Sequence, residues 1–156
     1  MNKKIIIIVG FITIGLAIGL NRASSDQDTS CPIPNNTDVL SCKVTKVIDG
    51  DTVHANCGGK DAKIRLTVID SYESRKNSRA FQQAYQQQLT VEEVVIRGKK
   101  ATGIAKTELS GKDIIVVMPP KTKIDRYNRI LGAVYIDCVD INLKMLKEHP
   151  DVFLKY

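Results

Sequence analysis

The sequence predicts an α+β, mainly β chain: a five-stranded β-barrel with two to three packed helices. Three observations carry this. Apolar runs of strand length come as a group of three and then a group of two. Helical periodicity separates the two groups and returns at the end of the chain. An Asp49-Gly50 pair lies between two β-branched runs, a short-range hairpin signal.

Val39 to Ile48 reads as the first strand and Thr52 to Cys57 as its hairpin partner. Gly58-Gly59 marks the next turn. Lys63 to Ile69 (KIRLTVI) reads as a third strand with Ile64, Leu66 and Val68 on one face. From about Asn77 to Leu89, Ala80, Phe81, Ala84, Tyr85 and Leu89 fall at helical spacing, and Gln82, Gln83 and Gln86 to Gln88 are expected on the outer face. Thr90-Val-Glu-Glu93 fits a capping box and opens a second helix, which Ser110-Gly111 ends. Val91, Val94, Val95, Gly98, Thr102, Ala105 and Leu109 form its apolar stripe. Asp113 to Met118 is a buried-type strand stopped by Pro119-Pro120, and Lys121 to Arg129 is a basic loop. Ile130 to Ile136 is the fifth strand, and Asn142 to His149 a short helix stopped by Pro150. Five strands with helix inserted between the third and fourth is the order of an OB-type barrel.

The chain begins differently. Lys3 and Lys4 precede the uncharged run Ile5 to Leu20, with small residues at Ala23, Ser24 and Ser25. Residues 1–25 are therefore expected to be an export signal or, uncleaved, an N-terminal membrane anchor acting through residues 5–20. Residues 26–38, with Pro32, Pro34 and Asn35-Asn36, read as a linker. Removing Lys3, Lys4 and Arg22 takes Lys plus Arg from 23 to 20 against 17 acids, so the net charge of +6 becomes +3. That helps attract a polyanion without establishing one.

Cys31, Cys42, Cys57 and Cys138 include no C-x-x-C pair, and His54 and His149 are far apart, which argues against zinc. An even cysteine count in an exported chain points to disulfides. If the hairpin turns at Asp49-Gly50, residues whose numbers sum to 99 face each other. Cys42 and Cys57 satisfy this, which favours Cys42–Cys57 and leaves Cys31–Cys138.

Charged residues recur at strand ends. Asp51 follows the first turn, where hairpin chemistry needs no second carboxylate. Arg65 sits between Ile64 and Leu66, Asp70 and Glu73 flank a short turn (IDSYE), and Arg126 and Arg129 precede the fifth strand. Each has an ordinary reading as a turn residue, cap or surface charge. Together they suggest one site, because clustered carboxylates need a compensating cation. Two arginines beside a hard cation suit a phosphodiester. Asp-Gly-Asp is not an EF-hand loop, since that ligand ladder is absent.

The segments VIDGDT (47–52), IRLTVIDSYE (64–73) and DRYNRILG (125–132) resemble the signature blocks of the staphylococcal nuclease-like, or thermonuclease, family. The resemblance runs from about Leu40 to Tyr156, so residues 39–156 are expected to form a staphylococcal nuclease-like domain. It implies a Ca²⁺-dependent nuclease acting on DNA and RNA with low sequence specificity, single strands being the better substrate. By the same resemblance Asp51 and Asp70 are metal ligands, and Ser71 gives its backbone carbonyl. Glu73 acts on the attacking water, Arg65 and Arg129 hold the scissile phosphate, and Tyr127 and Tyr156 line the nucleotide pocket. Tyr72 stands where the family usually has proline, so the turn aiming Asp70 and Glu73 is expected to be looser. Asn128 stands where glycine is common, a mild exchange because Asn tolerates left-handed backbone.

Two other classes are weighed. A catalytically weak module that binds nucleic acid or protein should have lost carboxylates or arginines, and this chain keeps them. A structural OB domain binding single strands by stacking should show aromatics along its strands. The chain has five Tyr, three Phe and no Trp, most of them outside the strands. The chain is taken as exported and monomeric.

Overall fold

The computed structural model describes Cys31, Ile33 and residues 37–156. The expected signal or anchor, residues 1–25, lies outside the described residues, as do residues 26–30, 32 and 34–36 of the expected linker.

Strands β1 (Val39–Val47), β2 (Thr52–Cys57) and β3 (Lys60–Leu66) form the expected meander. A short strand β4 (Ile69–Ser71) follows. Helices α1 (Ser78–Gln87) and α2 (Val91–Leu109) come next, then β5 (Asp113–Val117), β6 (Ile130–Ile136) and β7 (Val139–Asp140). Helix α3 (Ile141–Glu148) and strand β8 (Phe153–Lys155) complete the described chain. The main sheet has the order β3-β2-β1-β5-β6-β7, and β3 also pairs in parallel with β6. That last pairing closes the five-stranded OB-type barrel the sequence predicts. Val53, Ile64, Leu66, Val116 and Val134 fill it, and Ala101, Ala105 and Leu109 of α2 belong to the same buried cluster.

Both disulfides form, Cys42–Cys57 and Cys31–Cys138, with Cα separations of 4.1 and 4.7 Å. The register behind the first is less simple than the sum rule. Near the turn Val47 faces Val53 and Lys46 faces His54, so the sum is 100. A bulge between Val44 and Lys46 then restores 99, and Cys42 meets Cys57. The turn therefore spans Asp49-Gly50-Asp51, with Ile48 N–H bonded to the Thr52 carbonyl at 2.9 Å. The extra residue in the turn is offset by the extra residue in β1.

The expected third strand is broken. Pairing stops at Leu66, and Val68 takes φ 71°, a left-handed conformation that a β-branched residue adopts at a cost. Surrounding hydrogen bonds hold the break. Thr67 N–H donates to Gly132 O at 3.0 Å, Tyr156 N–H donates to Val68 O at 2.8 Å, and the Asn142 amide donates to Thr67 O at 2.7 Å. Asn142 is fully buried and also accepts from Val134 N–H, so α3, β6 and the break share one polar knot. The break moves Ile69, in place of Val68, into the core. It also turns β4 out of the barrel to pair with β8.

The helices start where expected. Asn77 caps α1, and Thr90 with Glu93 forms the full capping box of α2. The faces of α1 differ from the expectation. Ala80, Ala84 and Gln83 point inward, while Phe81 and Tyr85 are 59% and 89% exposed. Small residues let α1 lie close to its neighbours, and the large aromatics fall to one side of that contact. In α2, Ala101 replaces Thr102 in the buried stripe.

Gly98 shows how closely α2 approaches the β4–α1 turn. A Cβ there would lie 2.4 Å from the backbone carbonyl of Glu73. Gly103, on the same helix, has open space around it. Gly103→Ala should therefore stabilise the protein by about 0.5–1 kcal/mol through helix propensity. Gly98→Ala should destabilise it by about 1–3 kcal/mol through overpacking against rigid backbone. Urea unfolding of the two variants checks this opposite pair of signs.

Chain-entropy arguments rank the two disulfides. Cys31–Cys138 spans 107 residues and Cys42–Cys57 spans 15. Replacing both cysteines of the long-range pair by alanine is expected to cost about 4–5 kcal/mol, against about 3 kcal/mol for the hairpin pair. Chemical denaturation of the two double variants measures the difference.

Candidate active site

Asp51 emerges from the β1–β2 turn and is buried. Gly50 brings it there. A Cβ on Gly50 would lie 2.6 Å from the Ser71 side chain and 2.7 Å from that of Ala101, so glycine serves close approach of the turn. Asp51 Oδ2 accepts from Ser71 N–H at 2.6 Å, and Oδ1 accepts from the Thr52 hydroxyl at 3.1 Å. Arg65 Nε lies 3.4 Å from Oδ1. Burial pushes the Asp51 carboxyl up from its ordinary range, Arg65 pulls it down, Asp49 adds to the rise, and the net direction is upward. The folded value then lies above the unfolded one. Ionised Asp51 thus costs the fold stability at neutral pH, and the cost shrinks as pH falls through the folded value and is gone below the unfolded one.

Arg65 reaches the site from β3 and is itself buried. Its Nη1 donates to the carbonyls of Leu66 at 2.5 Å and Ile69 at 2.9 Å, spanning the strand break. Its Nη2 donates to Asp70 Oδ1 at 2.8 Å. Arg79 of α1 approaches Asp70 from the other side, donating to Oδ1 at 2.5 Å and Oδ2 at 2.7 Å. The Nε of Arg79 is 3.3 Å from Glu73 Oε1. Burial lowers the pKa of Arg79, but Asp70, Glu73 and Asp51 together outweigh it and leave it raised.

The turn that carries Glu73 is fixed by helices. Gln83 is 4% exposed. Its Oε1 accepts from Glu73 N–H at 2.9 Å, and its Nε2 donates to Ser71 O at 3.1 Å. Asn77 Nδ2 donates to Glu73 Oε2 at 2.8 Å. Tyr72 is buried against Ala80, Ala84 and Val94, with the Arg97 guanidinium 5.5 Å from its ring centre. The expected looseness of a turn without proline is thus met by packing: a large side chain anchors what a ring would otherwise stiffen.

Arg129 enters from the loop before β6. Asp125 holds it, accepting from Nε at 2.8 Å and from the Arg129 backbone N–H at 3.0 Å. The Nη1 of Arg129 reaches the Thr52 hydroxyl at 3.3 Å. Asn128 takes φ 59°, the left-handed conformation expected of a glycine substitute. Tyr127 is exposed, with the Arg126 and Arg129 guanidiniums 4.9 and 5.4 Å from its ring centre. Tyr156 lies 5.8 Å from Arg65 across its ring. These side chains line a groove of about 620 Å³ that also includes Arg65 and Arg79.

The structure brings Asp51, Arg65, Asp70, Ser71, Glu73 and Arg129 into one site, with Tyr127 and Tyr156 in the adjoining groove. Sequence reasoning did not single out Arg79, Gln83, Asn77 or Asp125. Gln83 is the clearest correction, for it is expected on the solvated face and instead ties down both ends of the turn. Its spacing, seven residues before the Thr90 cap, carries no signal of that role.

Asp49, Asp51, Ser71 and Glu73, with Arg65, Arg79 and Arg129, surround a cavity of about 100 Å³. Donors here are oxygens, the chemistry a hard cation takes. A cation would also relieve the cost of ionising buried Asp51, so the residues fit such an ion. Among the described residues no three His, Cys, Asp or Glu side chains converge as a metal cage. The protein's share at the cavity would be the Asp51 carboxylate and the Ser71 carbonyl, which keeps one lone pair beyond its bond to Gln83, while Asp70 lies behind Arg65 and Arg79 and would join them only on release from those arginines.

The chain is similar in sequence to known proteins. Residues 63–149 match the model of the staphylococcal nuclease homologue family. That stretch contains Arg65, Asp70, Glu73 and Arg129, while Asp51 precedes it. An uncharacterized endonuclease of Haemophilus influenzae is 33% identical over 77% of this chain and 53% of its own length. An uncharacterized protein of Methanocaldococcus jannaschii is 31% identical over 67% of this chain and 55% of its own. A thermonuclease of Staphylococcus hyicus is 28% identical over 73% of this chain and 59% of its own. The chain spans about half the length of the curated relatives it matches. With more than half of its residues covered by the family model, the chain belongs to the staphylococcal nuclease homologue family.

Proposed function

We propose that the chain is an exported, calcium-dependent nuclease that hydrolyses phosphodiester bonds of DNA and RNA with low sequence specificity. One observation carries this reading: a carboxylate-lined cavity meets an arginine- and tyrosine-lined groove, with Arg65, Arg79 and Arg129 bordering both. A phosphodiester needs both sides, cationic donors for its oxygens and a carboxylate for the attacking water. Two disulfides accord with export, since such bonds persist in oxidising compartments.

Asp51, Asp70 and the Ser71 carbonyl would hold Ca²⁺, which when bound polarises the phosphoryl group. Arg65 and Arg129 donate to the phosphate oxygens and stabilise the charge gained as water adds to phosphorus, the ester bond opposite it breaks and the departing sugar oxygen takes up a proton from solvent. Glu73 orients that water and accepts its proton, with Asn77 and Arg79 fixing the carboxylate. Tyr127 and Tyr156 take the nucleotide beside the phosphate. Single strands and frayed duplex are expected to be the better substrates, because the site must reach a phosphate with its base turned aside.

A second reading, a catalytically weak module that binds nucleic acid or protein, draws on one specific observation. Both oxygens of Asp70 are held by arginines, which would compete with a cation.

Activity distinguishes the two. The disulfide-bonded protein should cut single-stranded DNA with Ca²⁺ and stop with EDTA. Glu73→Gln should lower kcat by about 10²–10⁴-fold with the fold intact by circular dichroism. Folded protein that binds DNA or RNA but cuts neither would favour the module, and cleavage indifferent to EDTA would remove the metal from the mechanism.

Gln83 tests how the turn is aimed. Gln83→Leu is expected to lower kcat about tenfold with little change in KM, because it displaces Glu73 without touching substrate. It should also cost about 1–3 kcal/mol, since Glu73 N–H and Ser71 O lose their partner. Steady-state kinetics and urea unfolding of the same variant give both numbers.

A further inference from the structure

A second groove lies on the other side of Tyr127. It measures about 500 Å³ and is lined by His54, Asp61 and Lys63 of the barrel and by Ile124, Tyr127 and Asn128 of the loop. Tyr127 and Ile124 also line the groove beside the arginines, so the two adjoin.

The ladder between β2 and β3 sets their spacing. Thr52 pairs with Arg65, His54 with Lys63 and Asn56 with Asp61. These rows share the face opposite core residues Val53, Ala55 and Ile64. The first row belongs to the site, where Thr52 holds Arg129 and Arg65 holds the carboxylates. The second row lies two residues further along each strand, about 7 Å away. It carries a cation and an imidazole, beside the exposed apolar surface of Ile124 and Tyr127. The third row ends the track, because Asp61, bonded to the Asn56 amide at 3.2 Å, would repel another phosphate.

We infer that this groove seats the nucleotide one step along the strand from the scissile phosphate. An unpaired base lies against Tyr127 and Ile124, and its phosphate meets Lys63 and His54. Aromatic surface beside a positive track is the chemistry that binds single strands without reading sequence. The inference rests on the nuclease reading and adds a length requirement to it.

Amide chemical shifts test it on Glu73→Gln protein with Ca²⁺, which permits titration while turnover is suppressed. Pentathymidylate should shift the amides around Arg65 and Arg129 together with those of His54 and Lys63. Dithymidylate should shift only the first set. Lys63→Ala, at an exposed position, should weaken pentathymidylate binding about fivefold and leave dithymidylate affinity in place. It should also flatten the slope of log affinity against log salt by about 0.7, one single-strand phosphate contact. Pentathymidylate shifts confined to the Arg65 and Arg129 region would overturn the inference and spare the nuclease reading. So would equal weakening of both oligonucleotides by Lys63→Ala. No shift in either region would overturn both.

Discussion

Everything in the site depends on the buried guanidinium of Arg65. It satisfies the carbonyls of Leu66 and Ile69 across the strand break, and it lies between the carboxylates of Asp51 and Asp70. A buried cation is tolerated only when its donors and charge are met, and here they are. The same contacts hold together two chain segments that would otherwise separate: the barrel hairpin, which carries Asp51, and the outward strand β4, which carries Asp70. Without the guanidinium, two carboxylates and two carbonyl oxygens would face each other in a space with little water. The left-handed backbone of Val68 belongs to the same economy, because the break it creates is what delivers Ile69 O and Asp70 to Arg65.

The barrel and the helices divide the remaining work. Barrel strands and their loops position Asp51, Arg65 and Arg129, which are tied by ladder pairing and by Thr52. Helices position Glu73. Gln83 grips the turn from α1, Gly98 lets its backbone lie directly on α2, and Tyr72 anchors it in a small apolar cluster with Ala80, Ala84 and Val94. Tyrosine in this turn is therefore coupled to the long helical insertion beneath it. A proline would restrict φ locally, whereas Tyr72 transfers the restraint to packing against α1 and α2.

What was legible in the sequence was mostly local. The hairpin, the capping box at Thr90, the left-handed Asn128 and the fifth strand all rest on short-range chemistry, and they form where expected. The Cys42–Cys57 pairing was reached through a two-residue turn, while the molecule reaches it through a longer turn and a compensating bulge. Two one-residue changes of opposite effect cancel in register, so the alternation of residues could not display either. The break at Val68 was invisible for a related reason. KIRLTVI has unbroken β-branched texture, and the hydrogen bonds that impose the break come from Gly132, Asn142 and Tyr156, far away in sequence. Arg79 and Gln83 were missed because a helix shows its apolar stripe in sequence but not which polar residue a distant loop will meet.

Charge counting explains why substrate and cation would bind together in such a site. Asp49, Asp51, Asp70, Glu73 and Asp125 stand against Arg65, Arg79, Arg126 and Arg129, an excess of one negative charge when all are ionised. A phosphodiester brought to that set alone meets carboxylates as well as arginines. A doubly charged cation would bring the count to one positive charge, which the single charge of a phosphodiester would neutralise. Arginine donors on Asp70 and Asp51 could then turn to phosphate oxygens, because the carboxylates would have another partner. Arg79 is best placed for such an exchange. It is half exposed on α1, borders both the carboxylate cavity and the arginine- and tyrosine-lined groove, and is held by side-chain partners alone in its bonds to Asp70 and Glu73. Arg65 is not free in the same way, since two of its bonds go to backbone carbonyls that no ion would replace. Arg65 is thus anchored through Nη1 and would offer a phosphate only its Nε and Nη2 donors, whereas Arg79 is held only by the charges that a cation would claim.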